Sequence, residues 1–153
     1  WKLGAAPGSG QWRAEIPLRG VFDLSNRFEH KGLSFEPKLI YERQSTSGWR
    51  YNASIGAVFA DTKLAQSFYE VTSAQATALR PAYAASRGLV AWRLGSTVSR
   101  NLSPDLRLFG FARVDTVAGA ANERSPLVRQ TTGATFGMGV TYNWLRSEQR
   151  GQD

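Results

Sequence analysis

The stretch TTGATFGMGVTYNW, Thr131 to Trp144, decides how the rest of the chain is read. Its even positions carry Ala134, Phe136, Met138, Val140, Tyr142 and Trp144, and the odd positions carry Gly133, Thr135, Gly137, Gly139, Thr141 and Asn143. A period of two describes a strand with one greasy face and one small or polar face. A half-buried strand of a soluble sandwich would carry charge on its wet side and avoid glycines, which weaken a strand. Something compensates for three of them. A transmembrane barrel strand fits this pattern better, since its outer face meets lipid and neighbouring strands pair every backbone group. On this stretch alone, membrane barrel and soluble β-fold both remain open.

Composition bounds the answer without settling it. The chain has 153 residues, 42% of them hydrophobic, enough for one domain. No run of about 18 apolar residues occurs, so no helix is expected to cross a membrane. The mean hydropathy of -0.34 does not discriminate, because a β-barrel averages close to a soluble protein. With no cysteine and only His30 among histidines, neither a disulfide framework nor a thiolate or histidine metal cluster is expected, and no cofactor motif stands out. The net charge of +7 is scattered through alternating segments rather than gathered in a run. That weighs against nucleic acid and suits an anionic membrane surface.

Five further segments repeat the alternation: Gln11 to Leu24, Leu33 to Arg43, Trp49 to Ala60, Leu89 to Arg100 and Leu106 to Val117. In the last of these Phe109 and Phe111 share a face with Arg107 and Arg113, which leaves its register open. The connections alternate in length. Gln44 to Gly48 and Asn101 to Asp105 are tight turns, whereas Ser25 to Gly32, Asp61 to Gly88 and Ala118 to about Gln130 are longer. An outer-membrane barrel sorts its turns and loops this way, with turns in the periplasm and loops outside. Under that orientation the periplasmic strand ends carry Trp12, Tyr41, Trp49, Tyr51, Tyr142 and Trp144, which would form one interfacial girdle. The predicted fold is therefore all-β, an antiparallel up-and-down transmembrane β-barrel in the bacterial outer membrane. Six strands fall short of the minimum of about 8 for a closed bacterial barrel. The expectation is that residues 1–144 supply part of a single larger barrel domain, with strands missing ahead of Trp1, and that 145–153 form a polar tail. A lipocalin-like soluble barrel is the competing architecture, and it would turn the large side chains inward.

The opposite face of these strands predicts a lumen lined by Arg13, Glu15, Arg19, Asp23, Glu36, Lys38, Glu42, Arg50 and Arg93. These charges either set the selectivity of a pore or pair across strands to fill a narrow interior, and their mixed signs favour the second. The turn at Gln44 to Gly48 is expected to set Glu42 opposite Arg50. Within the long loop, Thr72 to Leu79 is expected to form a helical turn or two, with Thr72 or Ser73 as N-cap, either plugging the barrel or packing over its rim. Arg80 and Arg87 are candidate contacts to lipopolysaccharide phosphates. His30 lies near Ser25 and Glu29, but such proximity is common in polar loops, and no enzyme activity is expected.

Several stretches, taken in order, resemble one family. They are FYEVTSAQA (Phe68 to Ala76), PAYAASRGL (Pro81 to Leu89), NLSPDLRLFGFARV (Asn101 to Val114), SPLV (Ser125 to Val128) and GMGVTYNW (Gly137 to Trp144). Together they are similar to the MipA/OmpV family of MltA-interacting outer-membrane proteins over roughly Gly32 to Trp144. The resemblance implies a longer N-terminal part and a non-enzymatic scaffold linking a murein lytic transglycosylase to a murein synthase. It further implies recognition by the barrel-assembly machinery, while the basic excess and the loop arginines point to outer-membrane lipids and lipopolysaccharide as partners. A diffusion pore or an adhesin is the alternative. Family members close on a terminal aromatic; here Tyr142 and Trp144 are the candidates, followed by LRSEQRGQD.

Overall fold

A computed structural model describes the backbone of residues 2–6 and, in full, residues 10–25 and 28–144; the polar tail at 145–153 lies outside the described residues. The chain forms one antiparallel sheet. Its strands are β1 (Lys2–Ala6), β2 (Gly10–Glu15), β3 (Leu18–Asp23), β4 (Glu29–Phe35), β5 (Lys38–Gln44), β6 (Trp49–Ala60), β7 (Gly88–Asn101), β8 (Leu106–Thr116) and β9 (Thr132–Tyr142). The predicted alternating segments are all strands. Two are interrupted once, at Ile16-Pro17 and at Glu36-Pro37, because a proline has no N–H to give to a ladder. The register runs through both breaks: Glu15 pairs with Lys38 and Leu18 with Phe35. The Glu36 N–H still reaches the Pro17 carbonyl at 3.0 Å, and the Ala57 N–H reaches that of Pro37 at 3.1 Å. β2 with β3, and β4 with β5, therefore act as two long strands.

Neighbours in sequence are neighbours in the sheet. The order is β1-β2-β5-β6-β7-β8-β9, with β3 and β4 continuing the second and third positions, so the topology is up-and-down. β1, which the alternation had not revealed, pairs with β2. The sheet remains open between β1 and β9, a partial barrel among the described residues. No helix is long and apolar enough to cross a membrane. The turn at 44–49 closes with the Ser45 N–H on the Trp49 carbonyl at 2.8 Å, and Gly48 supplies the positive φ of 81° that it needs. Its counterpart at 102–106 lies at the same end of the sheet, and the three longer connections lie at the other. The first of those is shorter than expected, because β4 begins at Glu29 rather than near Leu33.

Register settles the question raised by β9. Gly137 stands directly opposite Phe111 and Gly139 opposite Phe109, so both phenylalanines face the same side as Arg107 and Arg113. A Cβ on Gly137 would lie 2.7 Å from the Phe111 ring, and one on Gly139 would lie 2.7 Å from that of Phe109. The glycines are seats for cross-strand aromatic rings, which cover the backbone they leave bare.

The two faces of the sheet differ sharply. The outer face carries Leu18, Phe136 and Met138 at 68%, 85% and 86% exposure, whereas Glu36 on the other face is 5% exposed. Trp92, Leu94, Ile55 and Val140 are likewise exposed. The chain thus exposes hydrocarbon on one face and covers a carboxylate on the other, the inverse of a water-soluble body. Its one described core cluster is small, with Ala60, Leu64, Ala65 and Ala85 packed against Val21, Tyr69, Tyr83 and Val90.

Candidate functional site

The charged face is built in rows, because directly paired residues on successive strands point the same way. One row runs Glu15, Lys38, Gly56, Arg93 and Asp115 across β2, β5, β6, β7 and β8. Lys38 Nζ lies 2.8 Å from Glu15, and Arg93 Nε donates to Asp115 at 2.6 Å. Gly56 leaves room between them: a Cβ there would sit 3.0 Å from that of Lys38. Arg13 bonds Glu15 and, at 2.6 Å, Glu42; Arg113 Nε lies 2.9 Å from Asp115.

Glu36 lies in the break between β4 and β5, two residues from Ser34 and two from Lys38, both of which face this side. It accepts from Arg19 through one oxygen and from Arg93 at 3.0 Å through the other. Arg19, Glu36, Arg93, Asp115 and Arg113 therefore form one continuous chain of opposite charges, which satisfies groups that are expensive to cover singly. Near the loop end Lys31 reaches Glu29 at 2.9 Å and Asp23 at 3.7 Å.

The structure places the nine charged residues read from the sequence on one side of the sheet. Register puts all but Glu36 there, and Glu36 joins them through its bonds to Arg19 and Arg93. Phe109 and Phe111, whose placement the sequence left open, lie on the same side. One expected pairing is corrected. Glu42 stands opposite Asn52, and Arg50 stands opposite Gln44, because β5 runs on through Gln44 and the hairpin closes between Ser45 and Trp49, later than the reading assumed. Glu42 is held instead by Arg13 and by Asn52 Nδ2 at 3.3 Å.

At the loop end the charged face is covered by a cap that begins with helix α1 (Thr62–Tyr69). Asp61 follows β6 directly and starts the helix. One carboxylate oxygen accepts from Leu64 N at 2.8 Å, while the other accepts from Leu33 N at 3.0 Å, which ties the helix to β4. Gly32, opposite Val21 on the charged face, makes the close approach possible. Its φ is +132°, and a Cβ there would lie 2.4 Å from Asp61 Oδ1 and 2.5 Å from Leu64 N. Leu64 and Ala65 are buried on the underside. A cavity of about 350 Å³ remains between Leu64, Phe68 and Tyr69 above and Arg19, Glu36 and Arg93 below.

The remainder of the cap is tied by polar anchors. Asn122, 1% exposed, accepts from Ser86 N at 2.9 Å and donates to the Ser86 carbonyl at 2.7 Å, stitching the 118–131 loop to the 61–87 loop. Ser125 Oγ donates to the Tyr69 carbonyl at 2.7 Å, and burial pushes the Tyr69 hydroxyl above the usual phenol range. The helix expected over Thr72 to Leu79 is reduced to a single 3-10 turn at Ser73–Gln75, with Thr72 as its N-cap. Sequence reading missed α1, although Asp61 followed by Leu64, Ala65, Phe68 and Tyr69 at helical spacing carried the signal. Arg80 and Arg87 are exposed, and Arg80 Nη2 donates to the Gln75 carbonyl at 2.9 Å. His30 lies 5.2 Å from the Phe22 ring on the outer face, while Ser25 Oγ donates to Asp23 at 2.6 Å.

The aromatic residues at the turn end pair on the outer face. Trp12 and Tyr41 have ring centroids 5.1 Å apart, Trp49 and Tyr51 6.4 Å, and Tyr142 and Trp144 5.4 Å. Arg100 lies 5.5 Å over Trp49. Among the described residues no group of acids and histidines could hold a metal ion.

Comparison with known families adds the deciding observation. The family model described as MltA-interacting protein MipA matches residues 3–144. This chain belongs to the MipA family. The match reaches from β1 to β9 and takes in the whole cap. The MipA family is outer-membrane-associated. No curated protein and no solved structure matches this MipA-family chain.

Proposed function

We propose that this MipA-family chain spans the bacterial outer membrane as part of a β-barrel with a filled interior. In this reading it serves there as a non-enzymatic scaffold that engages murein-remodelling enzymes. The observation that carries the proposal is the inversion of the two faces: exposed Phe136 and Met138 outside, covered Glu36 on the other side. Hydrocarbon on that scale is stable only against acyl chains or a partner, and the paired aromatics at the turn end suit a membrane interface. In lipid the edges β1 and β9 require partners, supplied by further strands of the same barrel. The rows of neutralised charge favour a filled interior over a diffusion pore, because ion pairs that satisfy one another cross-brace the strands. A single-channel recording with a large ohmic step would instead make the protein a pore.

Several features support a binding role. Ser25 Oγ donates to Asp23 rather than to His30, whose ring lies beside Phe22 on the outer face. The family description names an MltA-interacting protein, and a lytic transglycosylase is accordingly the proposed partner, with a murein synthase as the second. Such enzymes work on the periplasmic side, which assigns contact to the turns at 44–49 and 101–106. Arg80 and Arg87, exposed on the cap, face lipopolysaccharide phosphates in this orientation. Tyr142 and Trp144 serve as the aromatic signal for the barrel-assembly machinery. The test places a photo-crosslinking residue at Thr46, Ser103 or Leu79 in envelopes. Crosslinks to a lytic transglycosylase from Thr46 and Ser103 but not Leu79 are expected; none from either turn would refute the scaffold role.

A further inference from the structure

Among the described residues, the charged face pairs its cations with acids everywhere except at one place. Arg13, Arg19, Lys31, Lys38, Arg93 and Arg113 each have a carboxylate partner. Arg50 and Arg107, at the turn end, have none among the described residues. They are brought together by the register. Arg50 on β6 stands opposite Ser99 on β7, and Arg107 on β8 donates through Nη2 to the same Ser99 hydroxyl at 2.9 Å. Two positive charges thus flank one buried serine.

Around them lies a cavity of about 430 Å³, within the range of small-ligand sites. Its other inward-facing walls are Gln11, Gln44, Asn52 and Thr97, all amides and a hydroxyl. Arg43 and Tyr51 border it from positions whose register faces the outer side. The one acid that reaches it, Glu42, is already neutralised by Arg13 and bonded by Asn52. An anion entering this cavity meets two guanidinium groups that have no carboxylate partner among the described residues. Amide and hydroxyl side chains both donate and accept, and sugar hydroxyls need such partners.

We propose that the turn-end cavity is a binding site for a sugar acid, a hydroxyl-rich small molecule bearing a carboxylate. Arg50 and Arg107 hold the carboxylate in charge-assisted hydrogen bonds, while Gln11, Gln44, Asn52 and Thr97 hold the hydroxyls. This inference rests on the geometry of the charged face and holds whether or not the scaffold reading survives.

The experiment is calorimetric titration of the full chain in detergent with galacturonate, galactose and inorganic phosphate in turn. Galacturonate should bind, and binding should weaken with added sodium chloride. The Arg50→Gln/Arg107→Gln variant should lose affinity by at least about tenfold, since each removed group takes a hydrogen bond to a charged ligand. Arg50→Lys/Arg107→Lys keeps the charge and should retain part of the affinity, which separates the site from a folding defect. Lys63→Gln, on the exposed side of α1, should bind as the parent does. Galactose binding as tightly as galacturonate would overturn the proposal, as would phosphate binding as tightly. Unchanged affinity in the glutamine double variant, or no galacturonate binding by the parent chain, would also overturn it.

Discussion

Gly137 is the position at which the packing argument is most exposed to failure. Gly133, on the same strand and the same face, has nothing within 4 Å of the place where a Cβ would stand. Gly133→Ala should therefore stabilise the protein by about 0.5–1 kcal/mol, the ordinary gain from reducing the freedom of the unfolded chain. At Gly137 the same gain is opposed, because the new methyl would fall 2.7 Å from the Phe111 ring and push it off its seat. Overpacking costs about 1–3 kcal/mol, and since Phe111 is 43% exposed its ring can swing, which places the cost in the lower half of that range. The net effect of Gly137→Ala is then a loss of up to about 1.5 kcal/mol. In a Phe111→Ala background the obstacle is gone, and Gly137→Ala should become stabilising. The assay is urea unfolding of the refolded chain in phospholipid vesicles, followed by tryptophan fluorescence and heat-modifiable gel migration. If Gly137→Ala stabilises the parent as much as Gly133→Ala does, or acts alike with and without Phe111, the ring-over-glycine account is wrong.

Three other outcomes are expected. Glu36→Ala leaves Arg19 and Arg93 without their shared carboxylate and should destabilise by about 2–4 kcal/mol in the same assay, reduced from the fully buried case because Arg19 is half exposed. A loss under about 1 kcal/mol would show that the network is not cooperative. Asp61→Ala removes the helix cap and the bond to Leu33, so cleavage by added protease within residues 62–87 should accelerate about tenfold while the strands stay intact, as read by mass spectrometry. Unchanged cleavage would mean that the cap is held from elsewhere. Brominated acyl chains should quench a tryptophan placed at Met138 far more than one placed at Thr135, and equal quenching would contradict the lipid-facing assignment of the outer side.

The sequence by itself determined what depends on the period of two. It set the six alternating segments, the face of their large side chains other than Phe109 and Phe111, and the sorting of short turns from long connections. Side chains alternate along any strand whatever its neighbours do, so Phe136 and Met138 could be assigned opposite to Gly137 without coordinates. Family membership was likewise legible, because the order of the loop and strand motifs is a property of the chain. Only the tertiary structure decided the pairings that cross between strands. Glu42 turned to Arg13 and Asn52 rather than Arg50, because register depends on where each hairpin closes, and a slip of the closing pair changes every partner along the strand. The placement of Phe109 and Phe111 over glycines, the register kept between Leu18 and Phe35 and between Glu15 and Lys38 on either side of the breaks at Pro17 and Pro37, and the docking of α1 against Gly32 are of the same kind. Each rests on contact between residues far apart in the chain, and local alternation carries no information about that distance.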